Sequence, residues 1–167
     1  MAAGAREDSW VAIPRFTGRA WVFMHNLTAE AILPARAAHL APVEGKGHLF
    51  GDLDADLAGA IEPGDILVGG ENLGAGAGAF PAVAALRAAG VVVALARSFG
   101  SEFEVAALQG ALPALILDAP ESIRTGHTIR VDIDGARVVN LSSGDRYPIR
   151  NLDDGLLATL RERLGSA

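Results

Sequence analysis

The chain of 167 residues has no cysteine, which excludes disulfides and any thiolate-held zinc or iron–sulfur group of its own. Aromatics are few, six Phe, two Trp and one Tyr, so its apolar half is built mainly from alanine and aliphatic side chains. No apolar run approaches the roughly 20 residues that a membrane-spanning helix needs. The longest, Val91 to Ala96, has the length and composition of a strand. Cations are also scarce: 14 Lys and Arg face 20 Asp and Glu, for a net charge of −6. That balance argues against a nucleic-acid-binding surface. Met1 to Asp8 lacks the basic and apolar regions of a signal peptide and reads as a loose tail. With no cysteine and no membrane segment, the expected location is the cytoplasm.

What the chain has in quantity is glycine, twenty in all, crowded into one stretch. Asp65-Ile66-Leu67-Val68 reads as a buried strand, Gly69 to Ala79 as a glycine-rich turn, and a helix opens at Phe80-Pro81. Glycine lets the backbone turn sharply and approach a neighbour without a Cβ in the way. Proline suits the first helical turn, where its missing N–H costs nothing. The free amides of that turn face the mouth of the loop, where a carboxylate, a phosphate or a developing oxyanion can sit.

At this length one domain is expected: residues 1–17 as a tail and first strand, residues 18–167 as the domain. Trp10 to Phe16 reads as that first strand and Gly18 to Met24 as the next. Residues 37–47, aperiodic and containing Pro42, Gly45 and Gly47, read as a flexible loop. A short helix is expected from Asp54 to Ile61, and a small-residue helix from Phe80 to Ala89, ended by Gly90. With Val91 to Ala96 these make a βαβ unit and a parallel strand pair. A helix from Glu102 to Gln109 and a strand from Leu112 to Leu117 follow. Thr128 to Asp132 and Arg137 to Leu141 form a hairpin around Asp134-Gly135. The last helix, Asp153 to Leu164, aligns Leu156, Leu157, Leu160 and Leu164 on one stripe.

Gly74-x-Gly76-x-x-Ala79 satisfies the relaxed dinucleotide fingerprint. The following strand, however, ends in Arg97 instead of the acid that holds a ribose hydroxyl, and alanine- and glycine-rich chains produce such matches by chance. A longer series fits better. Gly18-Arg19-x-Trp21-x-Phe23, Asn26, Ile32-x-Pro34-Ala35-Arg36, His48-x-Phe50, Pro63-Gly64-Asp65-Ile66-Leu67-Val68, Gly70-Glu71-Asn72-x-Gly74-x-Gly76, Ala96-Arg97-Ser98-Phe99 and Gly110-x-Leu112-Pro113 occur in that order. This order and spacing resemble the small subunit of 3-isopropylmalate dehydratase, the swivelling domain of the aconitase superfamily. The resemblance runs from about Gly18 to the final helix. It implies an α/β fold of the β/β/α swivelling type, like the fourth domain of aconitase. It also implies a large partner subunit carrying a [4Fe–4S] cluster, the pair dehydrating and rehydrating a hydroxy-carboxylic acid. This chain itself then holds no cofactor.

The departures from the family fall on its chemistry. The family turn reads G-E-N-F-G-C-G-S-S-R-E-H, in which a serine is the base and the arginine binds a substrate carboxylate. Here Ala77, Gly78, Ala79 and Phe80 occupy the Ser-Ser-Arg-Glu positions, and Pro81 replaces the histidine. His25-Asn26-Leu27-Thr28-Ala29-Glu30 stands for the acidic D-N-I-D-T-D, and Ala37-Ala38 for a tyrosine and a leucine. Ser101 replaces an arginine. Alanine neither moves a proton nor grips a carboxylate. The remaining catalytic candidates are His25 and Glu30, an acid–base pair or two solvated loop residues. The substrate-binding candidates are Arg36 and Arg97, each equally an architectural ion pair, with Asn72, Gly76, Ala77, Gly78, Ala79 and Phe80 of the turn. His39 and His48, without clustered carboxylates, make no metal site.

Three functions follow. The reading adopted is a repurposed, stand-alone, cluster-free lyase, isomerase or cyclase of specialised metabolism, acting on a more apolar small molecule. The alternatives are a genuine small subunit with a [4Fe–4S] large subunit, and a non-catalytic binding or regulatory protein. Large subunit or homodimer are the partners expected, with no nucleic acid and no membrane.

Overall fold

The computed structural model describes residues 12–164, in which seven strands form one mixed sheet of order β4-β3-β2-β1-β5-β6-β7. β1 (Phe16–Val22), β2 (Ile66–Val68), β3 (Val93–Ala96) and β4 (Ala114–Ile116) run parallel. β5 (Thr128–Asp132), β6 (Arg137–Asn140) and β7 (Arg146–Pro148) continue the sheet antiparallel from the other edge of β1. Sheet direction therefore switches at β1, whose first residues pair with β5 and whose last pair with β2.

The parallel strands read as unbroken apolar runs because both of their faces are buried. Ile66, Val68, Val93 and Leu95 point into one core, while Leu67, Ala94 and Ala96 point into the other. The second of these faces is covered by α1 (Ala29–Ile32), α4 (Ala79–Ala89) and α5 (Ser101–Gln109). The first is closed by the inner face of the antiparallel strands and by Leu160 and Leu164 of α6 (Asp154–Leu164). This is the β/β/α swivelling-domain class that the motif order implies.

Several local expectations change. The stretch read as a flexible loop holds α2 (Pro42–Gly45) and a 3-10 turn over Lys46–His48. Pro42 opens the helix, and the buried Gly45 sets it against Ala85 of α4. The helix expected over Asp54 to Ile61 is a single turn, α3 (Leu57–Ala60). Of the first strand, Trp10 and Val11 lie outside the described residues, residues 12–15 form no strand, and Phe16 already belongs to β1. β7 carries no strand signal in the sequence because it is three residues long and ends in proline. Proline is tolerated there because β7 is an edge.

Candidate functional site

The turn from Gly69 to Gly78 links β2 to α4 and is held in shape by contacts only glycine permits. Gly74 has φ +75°, and a Cβ there would lie 2.2 Å from the ring of Phe103. That ring is fully buried and stacks on Phe99 with centroids 5.7 Å apart. At Gly70 a Cβ would lie 2.2 Å from His25 Nδ1. The backbone is then tied down on both sides. The Gly74 amide donates to Leu27 O (2.7 Å), the Arg97 amide to Gly70 O (3.0 Å) and the Asn72 amide to Ser98 Oγ (2.9 Å). The Asn72 side-chain amide donates to Asn26 Oδ1 at 3.0 Å.

Beyond the carboxyl ends of the parallel strands, where open α/β sheets hold their ligands, lies a cleft of about 360 Å³. Its walls are apolar: Val22, Phe23, Met24, Pro120 and Ile123. Phe23 is braced from behind by Phe50, stacked at 4.5 Å. Four polar side chains reach the cleft, those of His25, Glu121, Arg124 and Thr125. Thr125 Oγ1 accepts the Val22 amide at 2.9 Å, fastening this segment to the end of β1.

The hydrogen bonds assign the roles of these groups. The Glu71 amide donates to His25 Nδ1 at 2.8 Å, so that nitrogen presents its lone pair. The proton of the neutral ring is then on Nε2, and His25 offers the cleft a donor. Glu121 accepts a hydrogen bond from Arg97 Nε. That bond and the guanidinium charge hold the Glu121 carboxyl below its ordinary value, with a smaller contribution from His25. In return the Glu121 carboxylate raises the Arg97 guanidinium above its usual value, helped by the charges of Glu71 and Asp118. The Arg124 guanidinium has no carboxylate partner among the described residues. The cleft thus presents an N–H donor, a cation without a carboxylate partner among the described residues and a carboxylate already engaged by Arg97. It can bind and orient an anion.

The sequence-derived candidates distribute as follows. His25 lines the cleft, while Glu30 lines a separate hollow of about 170 Å³ with Thr28, Ala75, Gly76 and Ala77. Arg97 stands at the cleft through Glu121. Arg36 pairs with Asp52 at 2.8 Å, both well exposed. Gly78 is the left-handed N-cap of α4, Ala79 is fully buried and Phe80 is 43% exposed. Met24, Glu121, Ile123, Arg124 and Thr125 were missed. The available signal was position, because all of them follow the carboxyl end of β1 or β4. Among the described residues no three His, Asp or Glu side chains group as metal ligands, and no helix is long and apolar enough to cross a membrane.

No protein-family model matches the chain. Individual relatives do. The 3-isopropylmalate dehydratase small subunit of Nautilia profundicola is 35% identical over 132 residues, 78% of this chain and 80% of that protein. The small subunit 2 of Archaeoglobus fulgidus is 34% identical over 150 residues, 89% of this chain and 90% of that one. Among solved structures, 3-isopropylmalate dehydratase from Methanocaldococcus jannaschii superposes with a TM-score of 0.81 at 23% identity. That alignment covers 90% of this chain and 95% of that one and establishes the fold.

Proposed function

The chain belongs to the 3-isopropylmalate dehydratase small-subunit family, and from that premise we propose that it is the smaller chain of a two-chain hydro-lyase. In this reading the described residues, with the whole of β1 included, form its single swivelling domain. The observation that carries this reading is the composition of the cleft: it has donors and a cation to hold an acid, while its carboxylate, Glu121, is engaged by Arg97 and His25 Nδ1 by the Glu71 amide. A partner must bring the reactive centre. The [4Fe–4S] group implied by the family has no seat here, since the chain has no cysteine and its described residues hold no ligand cluster. In this proposal it belongs to the large subunit.

Within the pair, Arg124 holds a substrate carboxylate and His25 Nε2–H donates to a substrate oxygen. The apolar walls seat an alkyl group. Arg97 keeps Glu121 ionised and in place, and Gly69 and Gly70 at the start of the turn form part of the lining. Ala77 and Ala79 stand where the family resemblance puts a serine and an arginine. The expected substrate is therefore a hydroxy acid with a larger apolar group and fewer carboxylates than 3-isopropylmalate, which should itself turn over poorly.

A second reading is a stand-alone, cluster-free lyase, isomerase or cyclase. It is favoured by the same two alanines and by the mainly apolar cleft walls. Co-expression with the large subunit from the same genome decides between the two. The expected result is a stable complex that, across a panel of hydroxy acids, dehydrates monocarboxylates bearing a large alkyl group faster than 3-isopropylmalate, followed by the new C=C absorbance. Turnover of the panel by this chain alone, with no complex formed, overturns the two-chain reading in favour of the second. A complex with no turnover points instead to a binding or regulatory role.

A further inference from the structure

The outer face of the antiparallel strands carries a charge pattern that the cleft does not use. Alternation along β5 and β6 sends Ile129, Val131 and Val138 into a core. Arg130, Asp132, Arg137 and Val139 are left around a hollow of about 250 Å³ on the other side. Register lines them up. Arg130 lies across from Val139, and Val139 across from Arg146, so two arginines flank one valine over three strands. Asp132 lies across from Arg137 in a second row. Arg15, just before β1, completes the rim, with Leu141 beside Val139.

Four guanidiniums here meet one carboxylate. Asp132 is nearly buried, and its Oδ1 already accepts the Gly135 amide at 3.0 Å. Its Oδ2 lies 3.7 Å from Arg15 and 3.8 Å from Arg137. Arg130 and Arg146 have no carboxylate partner among the described residues. In a chain of net charge −6, this is a local concentration of positive charge. Like charges gathered on neighbouring strands oppose sheet formation, and a multivalent anion seated between them reverses that sign.

We infer that this hollow binds a compact oligophosphate anion, the diphosphate end of a small phosphorylated molecule, at a site separate from the cleft. Planar guanidinium forks match phosphate oxygens two at a time, and several forks around one space suit linked phosphates better than a single carboxylate. Val139 and Leu141 give the rest of the ligand an apolar floor. An extended polynucleotide is disfavoured, because beyond this small hollow it would meet an acidic chain.

The test is calorimetric titration of the full chain with inorganic pyrophosphate at low and physiological salt. The expected result is saturable one-to-one binding, weakened by salt. The double variant R130Q/R146Q should lose about tenfold or more in affinity with its melting curve retained, while K46Q, which removes a distant charge, leaves binding unchanged. Vesicles of phosphatidylcholine with phosphatidylinositol bisphosphate form a second arm. Absence of saturable pyrophosphate binding overturns the inference, as does equal affinity in the double variant. Binding to the vesicles without binding to free pyrophosphate assigns the phosphates to a membrane and overturns the soluble ligand. None of these residues lines the cleft, so the result is independent of whether a large subunit is found.

Discussion

The two halves of the sheet share β1 and treat charge in opposite ways. On the parallel side Arg19 is paired with Asp65, Arg36 with Asp52, Arg97 with Glu121 and Arg150 with Asp118, leaving Arg124 as the cation facing the cleft. On the antiparallel side four arginines surround one carboxylate, Asp132, which pairs with only two of them, Arg15 and Arg137. Paired charges hold a geometry; unpaired ones wait for a ligand. The parallel half is also the close-packed one, with ring stacks and glycine contacts fixing the turn, whereas the arginines stand on an open sheet face. Substitutions should therefore cost stability on one side and affinity on the other.

The sharpest version of that contrast is Gly74→Ala, which drives a Cβ into the buried Phe103 ring. An unfolding free energy lower by about 3 kcal/mol is expected from urea titration. Arg130→Gln should stay within about 0.5 kcal/mol of the parent. Comparable losses in the two would erase the distinction.

His25 separates support from binding within the parallel half. His25→Ala removes the acceptor of the Glu71 amide and should cost about 1 kcal/mol. In His25→Asn a carbonyl oxygen can take that amide, so the fold should be retained while the donor to the cleft is lost. The expected signature is near-parental melting with weakened ligand binding. Equal damage from both variants would make His25 purely architectural.

Arg97 and Glu121 give a smaller effect that depends on pH. The folded-state value of Glu121 is depressed, so its contribution to stability is present above its unfolded value and disappears as pH falls through the folded one. Arg97→Gln should thus lower stability at neutral pH and converge with the parent in acid. A constant offset across that range would assign the pair no electrostatic role. The smallest change expected is in Asp132→Asn, which removes the one carboxylate of the arginine hollow. Pyrophosphate affinity should rise by about two- to fivefold, and a fall would place the anion elsewhere.

Much of the fold was legible because the signals were local or followed a strong period. The βαβ unit around Gly64 to Ala96 announces itself through apolar strands, clustered glycine and Gly90 as a helix stop. The motif order then carried the family, whose membership rests on relatives matched over most of their own length. The order within α2 was not legible, because this helix packs against α4, which lies far along the chain. The cleft was half legible for the same reason. His25 and Arg97 belong to motifs, but Glu121 and Arg124 reach the cleft only once β4 is laid beside β3. The arginine hollow was hidden by sequence spacing: Arg15, Arg130, Arg137 and Arg146 look unremarkable until antiparallel register gathers them.

The central position of β1 bears on how the molecule is made. Among the described residues it is the first strand synthesised and the one around which the sheet is laid on both sides, yet its β5 partners are not made until residue 128. At translation rates of about 5–20 residues per second, one edge of β1 stays open on the order of ten seconds after it leaves the ribosome. During that interval Phe16 to Arg19 form an unprotected template for any passing strand. Slowing synthesis between β4 and β5 should raise aggregation of the nascent chain without changing the finished protein at all.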